Sequence, residues 1–132
     1  MLSFKESRAA IPAQDIGRAR NFYEQKLGLA PGESLSDGSV FYNVGSSRFL
    51  VFPSHGKASG DHTQMGLEVD DIAVAVNELK ERGVAFEEYD FPGLKTEGGI
   101  ASIGEEKAAW FKDSEGNVVG LLQRAAVATS SH

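Results

Sequence analysis

The chain contains no cysteine. That excludes disulfides, thiolate metal sites and cysteine nucleophiles, and fits a reducing compartment, so a cytoplasmic location is expected. No stretch approaches the ~20 apolar residues of a membrane span. The opening "MLSFKESRAAIPAQD" lacks an apolar core followed by a small-residue cleavage site, so no secretory leader is read there. Positive charge is in short supply: 13 Lys and Arg against 19 Asp and Glu leave a formal charge of −6. This argues against a nucleic-acid backbone or an anionic membrane as the main partner. No Gly-x-Ser-x-Gly elbow is present, "GSVFYNVGS" lacks the Lys-Ser/Thr of a phosphate loop, and "GIASIG" does not join a strand to a helix in the dinucleotide-binding manner.

What is present reads as one domain. At 132 residues the chain is long enough to bury roughly two-thirds of its unfolded surface. Its 41% hydrophobic and 24% charged content is ordinary for a globular protein, and 15 glycines suggest frequent tight turns between short strands. A repeat then appears. "SRAAIPA" (7–13) reads as a strand, and Asp15 is placed to cap a helix ending at Gly28, with Ile16, Ala19, Phe22, Tyr23 and Leu27 as its apolar stripe. "QMGLEVD" (64–70) is an alternating strand, and Asp71 is placed to cap a helix ending at Gly83, with Ile72, Ala75, Val76 and Leu79 as its stripe. After each helix comes a strand-like remainder: "GSVFYNV" and "RFLVFPS" in the first half, "AFEEYDF", "KAAWFKD" and "NVVGLLQ" in the second. The reading is an α+β fold of two βαβββ modules, at about 7–53 and 62–124, joined by a linker at 54–61 and followed by a tail at 125–132.

The last strand is unusual. In "KDSEGNVVGLLQR" a turn of Asp113, Ser114, Glu115, Gly116 and Asn117 leads into Val118, Val119, Leu121 and Leu122, with Gly120 among them. An interior strand glycine weakens packing and often marks close approach of a ligand or another backbone. With "IPAQDIGRARNFYEQKLGL", "GLEVDDIAVAVNELKERGV" and "AAWFKDSEGNVVGLLQ" in this order, the chain resembles the vicinal oxygen chelate superfamily of glyoxalase I, bleomycin-resistance proteins, extradiol dioxygenases and fosfomycin-resistance enzymes over about residues 7–123. The resemblance implies paired modules curling a mixed sheet around a cavity, usually in a homodimer. Its metal enzymes hold one divalent ion with His, Glu or Gln from the first and last strands of each module. By that resemblance the four ligand positions here are Arg8, Leu50, Gln64 and Gly120. The gap at Gly120 thus falls where a metal-binding carboxylate stands in those enzymes.

The four side chains argue against a metal. Arg stays protonated and only donates, Leu50 and Gly120 carry no donor atom, and the single amide oxygen of Gln64 does not hold a divalent ion. A two-residue slip brings in His62 but still no carboxylate, since 52 and 122 are Phe52 and Leu122. No metal and no cofactor are therefore expected. If Arg8 and Gln64 face the cavity, alternation adds Ala10, Gly66, Glu68, Arg48, Leu50, Phe52, Val118, Gly120 and Leu122: an apolar concavity with a few polar groups. The expected site is Arg8, Arg48, Leu50, Gln64, Glu68, Trp110 and Gly120, holding a small aromatic or anionic molecule. A plainer reading stays open, in which Arg8 pairs with Glu68, the glycines ease sheet curvature and Trp110 is core.

Other residues are read more simply. Tyr42 offers an apolar body with a hydroxyl suited either to proton transfer or to a backbone partner. His55 and His62 read as exposed linker residues and His132 as a disordered terminus, while Glu87, Glu88 and Asp90 read as a solvated strand face. The glycine-rich stretch 92–106 reads as a long loop covering one mouth of the cavity. Three functions remain in view: a metal-free, cytoplasmic, homodimeric small-molecule-binding protein; a glyoxalase-like lyase or dioxygenase with a displaced metal site or metal-free acid–base chemistry by Glu68 or Tyr42; and a dimeric interaction module without ligand.

Overall fold

The structure, a computed structural model, describes residues 2–125, so the expectations for His132 and most of the tail lie outside the described residues. Both helices start where a carboxylate satisfies free backbone donors. The Arg18 N–H donates to Asp15 Oδ1 at 2.9 Å, and the Val74 N–H to Asp71 Oδ1 at 3.2 Å. The chain runs β1 (Ala10–Ala13), α1 (Ile16–Asn21), β2 (Pro31–Ser34), β3 (Val40–Val44), β4 (Ser47–Pro53), β5 (Thr63–Glu68), α2 (Ile72–Glu81), β6 (Asp90–Phe91), β7 (Leu94–Glu97), β8 (Ile100–Ile103), β9 (Glu106–Lys112) and β10 (Val118–Gln123). One sheet has the order β1-β4-β3-β2 and the other β5-β10-β9-β8-β7-β6. In the first, β1 pairs parallel with β4, placing Ala10 opposite Leu50, and the remaining pairs are antiparallel. Strand, helix and further strands recur in each half, so the fold is α+β. Among the described residues no helix is long and apolar enough to cross a membrane.

The chain divides into two compact units. The first comprises the residues up to Met65 together with Lys112–Val118. Here α1 continues as a π turn, Phe22–Lys26, before Gly28 takes a φ of 73°, the left-handed conformation that glycine adopts readily. Tyr23 is fully buried, and its ring lies 5.7 Å from Tyr42 and 5.5 Å from Phe49. Ile11, Ala13, Val40 and Val51 complete this face of the sheet.

The turn 113–117 closes onto that core. Asp113 accepts from the Tyr23 hydroxyl at 2.6 Å, the Asn117 side chain at 2.9 Å, and the main-chain N–H groups of Glu115 and Asn117 at 2.8 and 2.9 Å. Asn117 also donates to the Pro12 carbonyl at 3.0 Å, tying the turn to β1. Glu115, whose side chain is 2% exposed, accepts twice from Arg18 and once from the Asp15 N–H. Arg18, above all, holds the Glu115 carboxyl at about 2, below its ordinary 4.5.

Because the unfolded chain takes up this proton more readily, the pair's contribution is complete above about pH 4.5 and is lost as pH falls toward 2. Urea midpoints are therefore expected to fall more steeply on acidification in wild type than in Glu115→Gln. Equal slopes would remove Glu115 as the acid-sensitive group.

The second unit comprises Gly66–Phe111 and the residues from Val119 on. Ile72, Val76, Val84, Ala101, Ala109, Phe111, Val119 and Leu121 are buried, and the Ile72 N–H donates to Gln123 Oε1 at 2.8 Å. The stretch 92–106 is not the expected long loop. It contains β7 and β8, joined through Gly98 and Gly99 at φ values of 61° and 87°. Two consecutive residues at positive φ match the twist of a tight hairpin, so short polar strands form where their composition suggested a loop. Conversely, only Asp90–Phe91 of "AFEEYDF" is regular strand, with an isolated bridge between Phe86 and Phe111.

Candidate functional site

In the first unit, alternation along β4 splits its side chains. Phe49 and Val51 are buried beneath α1, while Arg48, Leu50 and Phe52 occupy the other face, half-buried. Register extends that face across the sheet: Leu50 lies opposite both Ala10 and Phe41, and Arg48 opposite Asn43. Phe41 is its anchor, since the Arg48 guanidinium carbon sits 4.0 Å from the ring centroid and that of Arg8 5.3 Å. The ring's negative face attracts each cation, and the weakly hydrated guanidinium stacks there at little desolvation cost. Glu6 pairs with Arg8 at 2.8 Å and Glu33 with Arg48 at 3.3 Å, both through exposed carboxylates. An anion can therefore compete for either arginine, because surface ion pairs contribute little.

Three expected site residues thus meet here: Arg8, Arg48 and Leu50. Arg8 stands ahead of β1, which begins only at Ala10. Gln64 lies half-buried on β5. In the second unit Glu68 is exposed and pairs with Arg124 at 3.0 Å, so the expected alternative pairing of Arg8 with Glu68 is replaced by two separate ion pairs. Trp110 is half-buried against Tyr89, Gly120 is buried, and the space beside Gly66 is open. Phe41 was missed as a site residue. The visible signal was its placement in "VFYNV", out of phase with Val40 and Tyr42; all three are buried, Phe41 at 7% exposure on the opposite face of the strand.

The four positions that a metal would need do not fit one. Arg8 is a cation engaged with Glu6 and Phe41, Leu50 and Gly120 bring no donor atom, and Gln64 brings a neutral amide. Among the described residues no three His, Cys, Asp or Glu side chains cluster as a metal site. Tyr42 does not suit proton transfer. Its fully buried ring donates the hydroxyl to Glu24 at 2.8 Å, and burial first, then the Glu24 bond, pushes the phenol far above its ordinary range. Glu24 is held low mainly by Arg20, at 2.7 Å. Glu68 is exposed, with its carboxylate paired to Arg124. His62 is exposed, as expected, and exposed His55 accepts from Gln14 through its main-chain carbonyl at 3.1 Å. Glu87 and Glu88 are not simply solvated: Glu87 is half-buried, and Glu88 accepts from the buried hydroxyl of Thr96.

Duplicated strand–helix–strand modules, each started by an Asp-capped helix and the second ended by a Gly-Asn turn, define a class of α+β proteins built from paired modules. Residues 7–121 match the model of the Glyoxalase/Bleomycin resistance protein/Dioxygenase superfamily, and the chain belongs to that family. Solved structures agree in fold. A glyoxalase family protein from Enterococcus faecalis is 23% identical with a TM-score of 0.68, over 91% of this chain and 98% of that one. TnmS3, an antibiotic-binding protein from Streptomyces sp., is 20% identical with a TM-score of 0.65, over 95% and 100%. The fosfomycin resistance protein FosX from Listeria monocytogenes is 15% identical with a TM-score of 0.66, over 92% and 91%. A search of curated proteins gave no match.

Proposed function

We propose that the chain is a metal-free small-molecule-binding protein, a cytoplasmic homodimer whose ligand is planar, aromatic or anionic. The observation that carries this reading is the convergence of Arg8 and Arg48 on Phe41 beside Leu50. Two donor forks held on the buried Phe41 ring, beside the half-buried Leu50 and Phe52, suit a carboxylate attached to a flat apolar body, with charge-assisted bonds at one end and apolar contact at the other. Gln64 is a further candidate to orient the ligand. The antibiotic-binding protein that shares the fold makes capture of a small molecule a natural use for it.

Titration with 2-naphthoate is expected to show saturable binding, weakened about tenfold by Arg48→Ala or by Arg8→Ala, each worth about 1.4 kcal/mol. Unchanged affinity in both variants would reject the site. Calorimetry with Ni²⁺, Zn²⁺, Mn²⁺ and Fe²⁺ is expected to show no stoichiometric site, and one weakened by Gln64→Ala would overturn the metal-free reading. Light scattering is expected to return the mass of a dimer.

A further inference from the structure

A second group of side chains, none of them in the arginine–Phe41 site, meets in the second unit. The Glu87 N–H donates to the Trp110 carbonyl at 2.8 Å next to the Phe86–Phe111 bridge, which sets Glu87 opposite Trp110 with both side chains on one face. Two residues on, Tyr89 returns to that face. Its ring meets Trp110 edge to face with centroids 5.5 Å apart, and stacks with Phe91 at 5.8 Å. Leu94, opposite Phe91, extends the apolar surface. Glu87, Tyr89 and Trp110 are half-buried and Phe91 is 58% exposed, so the rings remain open to a ligand.

Glu87 makes no ion pair with any described residue; the same holds of Glu81, Glu88, Glu97 and Glu105, which are exposed, and of the half-buried Glu106, which accepts from the Ala125 N–H at 3.4 Å. The Tyr89 hydroxyl is held above its ordinary value first by burial and then by the charge of Glu87.

A carboxylate partly withdrawn from water gains from a cation, and aromatic faces attract the same cation through their quadrupoles. A neutral aromatic ligand would leave Glu87 unpaired, and an anion would be repelled. We propose that Glu87, Tyr89, Phe91 and Trp110 form a binding site for an organic cation, an alkylammonium group whose charge lies at Glu87 and whose carbon shell lies on the rings. This site goes beyond the anion site and selects the opposite charge.

Trp110 is the only tryptophan in the sequence, so its emission reports directly on the site. Titration of the full chain with choline is expected to give a saturable change in emission, and 3,3-dimethyl-1-butanol, the uncharged isostere, to bind at least about tenfold more weakly. Glu87→Gln is expected to weaken choline about tenfold and Phe91→Ala several-fold, both with an unchanged melting temperature, since both side chains reach solvent. Arg48→Ala is expected to leave choline binding unchanged, which separates this site from the anion site. No saturable response in wild type, equal affinity for the uncharged isostere, or wild-type affinity in both Glu87→Gln and Phe91→Ala would overturn the proposal.

Discussion

Replacing Asp113 by alanine is expected to lower the folding free energy by about 3–5 kcal/mol. Asp113 is 6% exposed, and its two oxygens accept four hydrogen bonds. Its loss leaves the fully buried Tyr23 hydroxyl with no acceptor there, and frees the turn that Asn117 ties to Pro12. Tyr23→Phe, which removes one donor and keeps the ring in the Tyr42–Phe49 stack, is expected to cost only about 1 kcal/mol. The double variant should lose less than the sum, because the hydroxyl orphaned by Asp113→Ala is then absent. Urea denaturation of the four proteins checks this. A loss under about 1 kcal/mol for Asp113→Ala would mean that water replaces the carboxylate and that the clasp is not what holds the turn.

Gly99→Val is expected to destabilise by about 2–4 kcal/mol, through backbone and packing together. At a φ of 87° a β-branched residue is strained, and a Cβ at that position would lie 3.0 Å from the Cβ of Phe86. Phe86 has little freedom to retreat, because its ring meets the fully buried Phe111 edge to face at 5.5 Å. Gly104 supplies the control. Its φ of 64° carries similar backbone strain, but a Cβ there meets nothing within 4 Å, so Gly104→Ala should cost only about 1 kcal/mol. Similar losses at the two sites would assign the whole effect to the backbone and none to Phe86.

The parts of the molecule legible in the chain are those governed by neighbours in sequence. Asp15 and Asp71 cap the helices that follow them because a carboxylate three residues before a free N–H meets it within one turn. Gly28 and Gly83 follow those helices at positive φ because few other residues tolerate it. The hairpin at 94–103 was hidden, since "LKTE" and "IASI" are too short and too mixed to stand out and Gly98-Gly99 reads equally well as loop. Arg8 and Arg48 stand among the residues expected at a site, but the ring that gathers them does not: Phe41 reaches Leu50 and Arg48 only through strand register.

The same division holds for function. Sequence alone determined the α+β repeat, because periodicity and caps are properties of residues and their spacing. The family follows from the match of its motifs over 7–121, and the donor atoms of Arg8, Leu50, Gln64 and Gly120, the ligand positions that the resemblance implies, do not suit a metal. Only the tertiary structure decided that Glu68 pairs with Arg124, that the Tyr42 hydroxyl donates a hydrogen bond to Glu24, and that Glu87 shares a face with Trp110 while its neighbour Glu88 turns to Thr96. A charge is set to its task by what lies a few ångströms away, and across a sheet that neighbour is chosen by strand pairing between distant parts of the chain.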